Sequence, residues 1–329
     1  SSDVCSSDLA SLSTGALAGL STAQVAGLST AQVANLSTDQ VAALSTANVS
    51  ALTTAQVSAL TAGSIGALST DQVGALTTSQ VKVLTTANIV ALSTAQVAAL
   101  STAQVAALTT GQVQAITTAN VTALSSTQVA ALTTDQVSVL STSQVVALET
   151  SDIAALSTGQ VAALTTAHVN VLSTASVGVM NTAQVAALTT AQVQALTTAN
   201  VASLSTSQLQ VLSTDQVAAF STSQVAALTT SEAATLSAAQ AKALTTAQVQ
   251  QLSTSNIEAL NLNSVKAMTS TQLQALSTTQ LNALQTEDFA NLNEAQITGL
   301  TTDQVKALTT SAVTSLTADQ VSKFTTAQV

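Results

Sequence analysis

The chain has no proline, no tryptophan and no tyrosine, and only three phenylalanines in 329 residues. Its five basic residues are all lysines, and charged residues make up 6% of the total. A globular domain of this length carries more aromatics, more charge and a more varied pattern, so an ordinary domain core is excluded. The net charge of −10 comes without any basic cluster, which argues against nucleic-acid and anionic-lipid partners. Glycine is scarce, and the turn dipeptides Asn-Gly and Asp-Gly do not occur. Hydroxyl and amide residues interrupt every apolar stretch far short of the about 18 residues of a membrane helix, so no membrane insertion is expected. Cys5 is the one cysteine, which leaves no disulfide framework.

What remains is one octad, plainest at Leu100 to Leu108: Leu-Ser-Thr-Ala-Gln-Val-Ala-Ala-Leu. Counting the leucine as position zero, the phase holds from Leu12 to Phe324 through 39 octad steps without insertion or deletion. Position one is nearly always a hydroxyl residue, as at Ser101, and position four is usually Gln, as at Gln104. A hydroxyl followed three residues later by Gln or Glu is a capping box. The hydroxyl accepts from the third backbone N–H of the helix, and the longer side chain returns to the cap N–H. The leucine before the cap and the valine at position five, Leu100 and Val105, then form the apolar staple of the same helix start. Substitutions at position zero stay apolar (Ile116, Met180, Phe220, Met268, Phe324), as do those at position five (Ile65, Ile89, Leu209, Phe289), with Ala233 and Ala241 the smallest there. Position seven is small, at times Gly, as in Gly19, Gly27 and Gly299, which lets neighbouring backbones approach.

Charges test this reading independently. Asp39, Asp71, Asp135, Asp215, Asp303 and Asp319 fall at position three; Asp152, Glu232 and Asp288 fall at position four. Lys82, Lys242, Lys266 and Lys306 fall at position six, and Glu258 is the exception among the acids. Acids in the first turn and bases in the last are what a helix dipole favours. The sorting makes sense if each octad is its own helix. One continuous helix is excluded, because leucines every eight residues imply four per turn against about 3.6. The expected fold is an all-α repeat solenoid of one-helix octads, with Leu and Val inside and hydroxyl, amide and charged groups outside. A β-solenoid is the alternative, since Thr and Val favour strands. The number of octads per superhelical turn is left open.

Residues 1–9 do not fit the repeat and resemble a translated sequencing adapter, an assembly artefact that would include Cys5. Residues 10–329 are expected to be a single array. It becomes more varied after about residue 229, and Asn261, Gln285 and Asn293 replace the cap hydroxyl there. The chain stops in mid-octad at Val329 without a polar capping unit, so a fragment of a longer protein is expected, with self-association through uncapped ends as one consequence.

No enzymatic chemistry is expected. His168 takes the Gln position and has no partners that would make a triad or metal set, so it reads as a substituted capping residue. Glu149 and Asp152 are three apart and Glu287 and Asp288 adjacent, but both pairs lie at a helix start, where the dipole accounts for them. Phosphate loops, zinc spacings and nucleophile elbows are missing. No catalytic, cofactor or metal site is therefore expected.

The octad Leu108-Thr109-Thr110-Gly111-Gln112-Val113-Gln114-Ala115-Ile116 resembles the opening of the first helix in TAL-effector repeats, Leu-Thr-x-x-Gln-Val-x-x-Ile. The base-reading loop and second helix of that family have no counterpart here, so DNA binding is not carried over. Across residues 12–329 the tandem Leu-[Ser/Thr]-Thr-x-Gln-Val-x-Ala pattern resembles octad-repeat stretches of very large bacterial secreted or surface proteins. That resemblance implies an extracellular spacer or adhesin-like scaffold with cell-surface or protein ligands. An ice-binding face is the alternative, suggested by the regular Thr rows.

Overall fold

A computed structural model describes residues 13–328. The adapter-like segment 1–9, with Cys5, lies outside the described residues. Among the described residues there are 39 α-helices of four to six residues, one per octad, and no strand. The β-solenoid alternative is thereby overturned. The capping boxes explain why: they fix a helix start in octad after octad, before the strand preference of Val and Thr can act.

In the helix Thr102–Ala107, the cap Ser101 is extended (φ −69°, ψ 158°) and its hydroxyl accepts from Gln104 N–H at 3.2 Å. Gln104 Oε1 accepts from Ser101 N–H at 2.6 Å and closes the box. The helix stops where Leu108 turns extended (φ −57°, ψ 140°). No residue in the described chain has a positive φ. The helices thus end without the left-handed glycine that commonly satisfies terminal carbonyls, which fits the scarcity of glycine and leaves those carbonyls open to other donors.

The chain divides into two compact units, Ser1–Leu164 and Thr165–Val329. Within each, a helix packs on the third helix before it and the third after it. Thr102–Ala107, for example, sits between Thr78–Lys82 and Ser126–Ala130. Three octads, or 24 residues, therefore complete one turn of each solenoid. Helices this short are unstable alone in water, where about 12–15 residues are needed, so stacking of coils is what holds them.

Burial follows one rule. Positions zero, four and five are buried, position seven is partly buried, and positions one, two, three and six face solvent. Leu100 and Val105 lie inside, as the staple requires. The expectation that the amides lie outside is corrected: Gln104 is 2% exposed.

The two buried positions of one helix face opposite ways along the stack. In the first described coil Gln24 is exposed and Val25 buried. In the last, Gln320 is buried and Val321 is 48% exposed. Position four is covered by the coil before it and position five by the coil after it.

Candidate functional site

The buried row at position four is where the chain concentrates its polar chemistry. Gln104 Nε2 donates to Leu76 O at 2.7 Å and to Val73 O at 2.9 Å. These carbonyls lie at the end of helix Thr70–Gly74 and in the link to Thr78–Lys82. One amide therefore closes its own helix start with its oxygen and satisfies a helix end of the preceding coil with its nitrogen. The same pair of offsets, 28 and 31 residues, recurs at Gln56, Gln80, Gln112, Gln128 and Gln144 in the first unit. It recurs in the second, as at Gln224, which donates to Leu196 O at 2.6 Å and Val193 O at 2.9 Å.

Shorter residues at this position separate the two halves of the arrangement. Asn48, Asn120, Asn200 and Asn256 give up the return bond to the cap N–H but still donate to the carbonyl 28 residues back. Asn88 makes both bonds. Ser264 Oγ donates to Leu236 O at 2.6 Å across the same interval. At these residues the link between coils outlasts the capping box, whereas the Ser64 and Ser176 hydroxyls bond only to the cap hydroxyls of Thr61 and Ser173 and make neither.

His168 is buried and completes a capping box: Nδ1 accepts from Thr165 N–H at 3.2 Å, and Thr165 Oγ1 accepts from His168 N–H at 3.2 Å. The acids divide into two sets. Those at position three, such as Asp39, are exposed in the first turn, as dipole complementation expects. Asp152, Glu232 and Asp288 are instead buried in the amide row, which the sequence reading missed. Each accepts the cap N–H: Asp152 from Glu149 at 2.9 Å, Glu232 from Thr229 at 2.6 Å, Asp288 from Gln285 at 2.9 Å. Burial pushes all three carboxyls above the ordinary range, partly opposed by these N–H donors. The nearby charges of Glu149 and Glu287 add to the upward push on Asp152 and Asp288 respectively. Desolvation, which a helical position alone does not reveal, outweighs the cap N–H bonds here. The two aspartates occur where the cap has lost its hydroxyl, at Glu149 and Gln285, whose side chains make no cap bond.

Tandem matches to the model of the ALTTAQ repeat cover residues 6–38, 34–62, 55–86, 82–110, 105–142, 145–179, 169–198, 198–230 and 281–318. The chain belongs to the ALTTAQ repeat family. No curated protein matches it. The six letters stand in full at Ala51-Leu52-Thr53-Thr54-Ala55-Gln56. They run from the partly buried small residue through the buried leucine and cap hydroxyl to the amide that joins coils. The ALTTAQ geometry also continues through residues between the last two matches: Gln248 donates to Phe220 O and Gln272 to Leu244 O, both at 2.6 Å.

Around this row the ALTTAQ solenoid offers little else. Among the described residues no cluster of His, Cys, Asp and Glu could hold a metal ion, and no helix is long and apolar enough to cross a membrane. A depression lined by residues including Gln210, Asn261, Asn263 and Lys266 is a groove largely open to solvent.

Proposed function

We propose that the tandem ALTTAQ repeats, which support a structural role for the chain as a repeat protein, serve as a spacer or adhesin-like scaffold in a bacterial secreted or surface protein, acting on no substrate. The observation that carries the reading is the inward placement of the position-four amides. Side chains with hydrogen-bonding versatility hold coil to coil, while the outer positions carry mostly Ser, Thr and Ala. Such a scaffold presents distance and surface, and any ligand would be a protein or cell-surface partner meeting that outer face.

The test is deletion of whole octads within one unit, followed by small-angle scattering. A maximum dimension that falls in proportion to octads removed supports the spacer; a dimension indifferent to octad number contradicts it. Exposed threonines such as Thr102 favour ice binding as a second reading. The hydroxyl beside it, Ser101, already serves as a cap, and charged residues interrupt the surrounding rows. No thermal hysteresis is expected, and ice-crystal shaping abolished by Thr→Lys changes at position two would replace the spacer reading.

A further inference from the structure

Glu232 occupies the place of a joining amide, yet half of the arrangement is missing. Its Oε2 accepts from Thr229 N–H at 2.6 Å, as the glutamine oxygen does elsewhere. Its Oε1 takes the part of the amide nitrogen and has no hydrogen-bond partner, although the residue is 1% exposed. It is the one buried side-chain N or O atom without a partner among the described residues. The 28-residue offset of the repeat assigns it the carbonyl of Leu204, just as Gln224 meets Leu196 and Gln240 meets Leu212. Two acceptors would then face each other in a site closed to water. An unsatisfied buried acceptor is destabilising, and an unpaired buried charge more so. A proton on Oε1 removes both defects by turning the acid into the donor that the glutamine amide is elsewhere.

We infer that Glu232 is a proton-dependent latch: its neutral carboxyl donates from Oε1 to Leu204 O, and loss of that proton to solvent releases the contact between coils.

Burial pushes this carboxyl above the ordinary glutamate range, and the Thr229 backbone and hydroxyl bonds oppose the push. The helices packed on Thr230–Thr235 are Thr206–Gln210 and Thr254–Ala259. Their only titratable group is Glu258, which is exposed, and no cation lies on either helix to hold Glu232 ionised. The sign follows from the raised value in the folded state. The stabilisation is full below the ordinary glutamate value and is lost as pH rises through the raised one. The local contact therefore loosens toward alkaline pH.

The test compares the full chain with Glu232→Gln, which restores the consensus residue. Carboxyl ¹³C resonances of glutamate-labelled protein identify Glu232 as the signal missing from the variant. That signal is expected to titrate above the ordinary glutamate range. Amide-exchange protection around Leu204 and Glu232 should match in the two proteins at acid pH. It should then fall in the wild type alone, by about tenfold for each pH unit by which the folded value exceeds the ordinary one. Asp152 and Asp288 titrate in both proteins and cancel. A Glu232 signal that titrates at the ordinary glutamate value, or protection in Glu232→Gln that tracks the wild type throughout, would overturn the latch.

Discussion

Gln104 Nε2 donates to the carbonyl of Leu76, 28 residues earlier, at 2.7 Å, and this bond joins one coil to the next. The same side chain closes the helix start at Ser101. A single residue therefore serves two helix ends that belong to different coils. Each solenoid unit is held by repetition of this bond together with the apolar leucine and valine seam.

Replacing Gln104 separates its two roles. Gln104→Leu removes both and strands buried polar groups, each of which is worth about 1–3 kcal/mol. Gln104→Asn should lose the capping box and the bond to Val73 O but keep the bond to Leu76 O, as Asn48 keeps its bond to Leu20 O. The Leu variant should thus lose more amide-exchange protection in Thr70–Gly74 than the Asn variant. Equal losses would mean that the amide nitrogen contributes nothing between coils.

The cap and the seam differ in weight. Ser101→Ala should destabilise its helix by about 1 kcal/mol, the ordinary loss of an N-cap. Val105→Asp places a charge at a fully buried position and should open the coils there at several times that magnitude. Thermal melts and local exchange check the ranking; two equally mild effects would show that Val105 does not face a core.

Small residues at position seven act through backbone approach, and Gly299 is the sharpest case. A Cβ added there would lie 2.7 Å from Ser270 Cβ and 2.9 Å from Ala295 O. Gly299→Ala should therefore destabilise by roughly 1–3 kcal/mol through overpacking, whereas Gly111→Ala, with open space around it, should be neutral or stabilising. A tolerated Gly299→Ala in urea titrations would contradict the close approach.

Much of the fold was legible from single octads. The cap at Ser101, the staple of Leu100 and Val105 and the small position seven are local signals, and the structure places them as read. The burial of Gln104 was not legible, because a capping glutamine on an exposed first turn gives the same three-residue spacing. Its second bond spans 28 residues and depends on three octads closing a turn, which no local spacing encodes. Asp152 and Glu232 were read as dipole partners for the same reason: their helix position was visible and the coil that covers them was not. A sequence signal did exist in retrospect. Position four holds an amide far more consistently than capping alone demands, since Glu and Asp also serve there.

The closure of a turn by three octads can be measured directly through Gly66 and Ala91, which lie on helices three apart in the chain. A Cβ built on Gly66 stands 3.9 Å from Ala91 Cβ, within disulfide range, and 3.1 Å from Ala91 O, so the backbone must yield slightly. In a chain with Cys5→Ser, the pair Gly66→Cys and Ala91→Cys should form an intramolecular disulfide under mild oxidation with helicity retained. The pairs Gly66→Cys with Val83→Cys and Gly66→Cys with Ala99→Cys, one octad short and one octad beyond, should remain reduced. Efficient cross-linking of either control pair, with Gly66→Cys and Ala91→Cys left reduced, would contradict the three-octad turn.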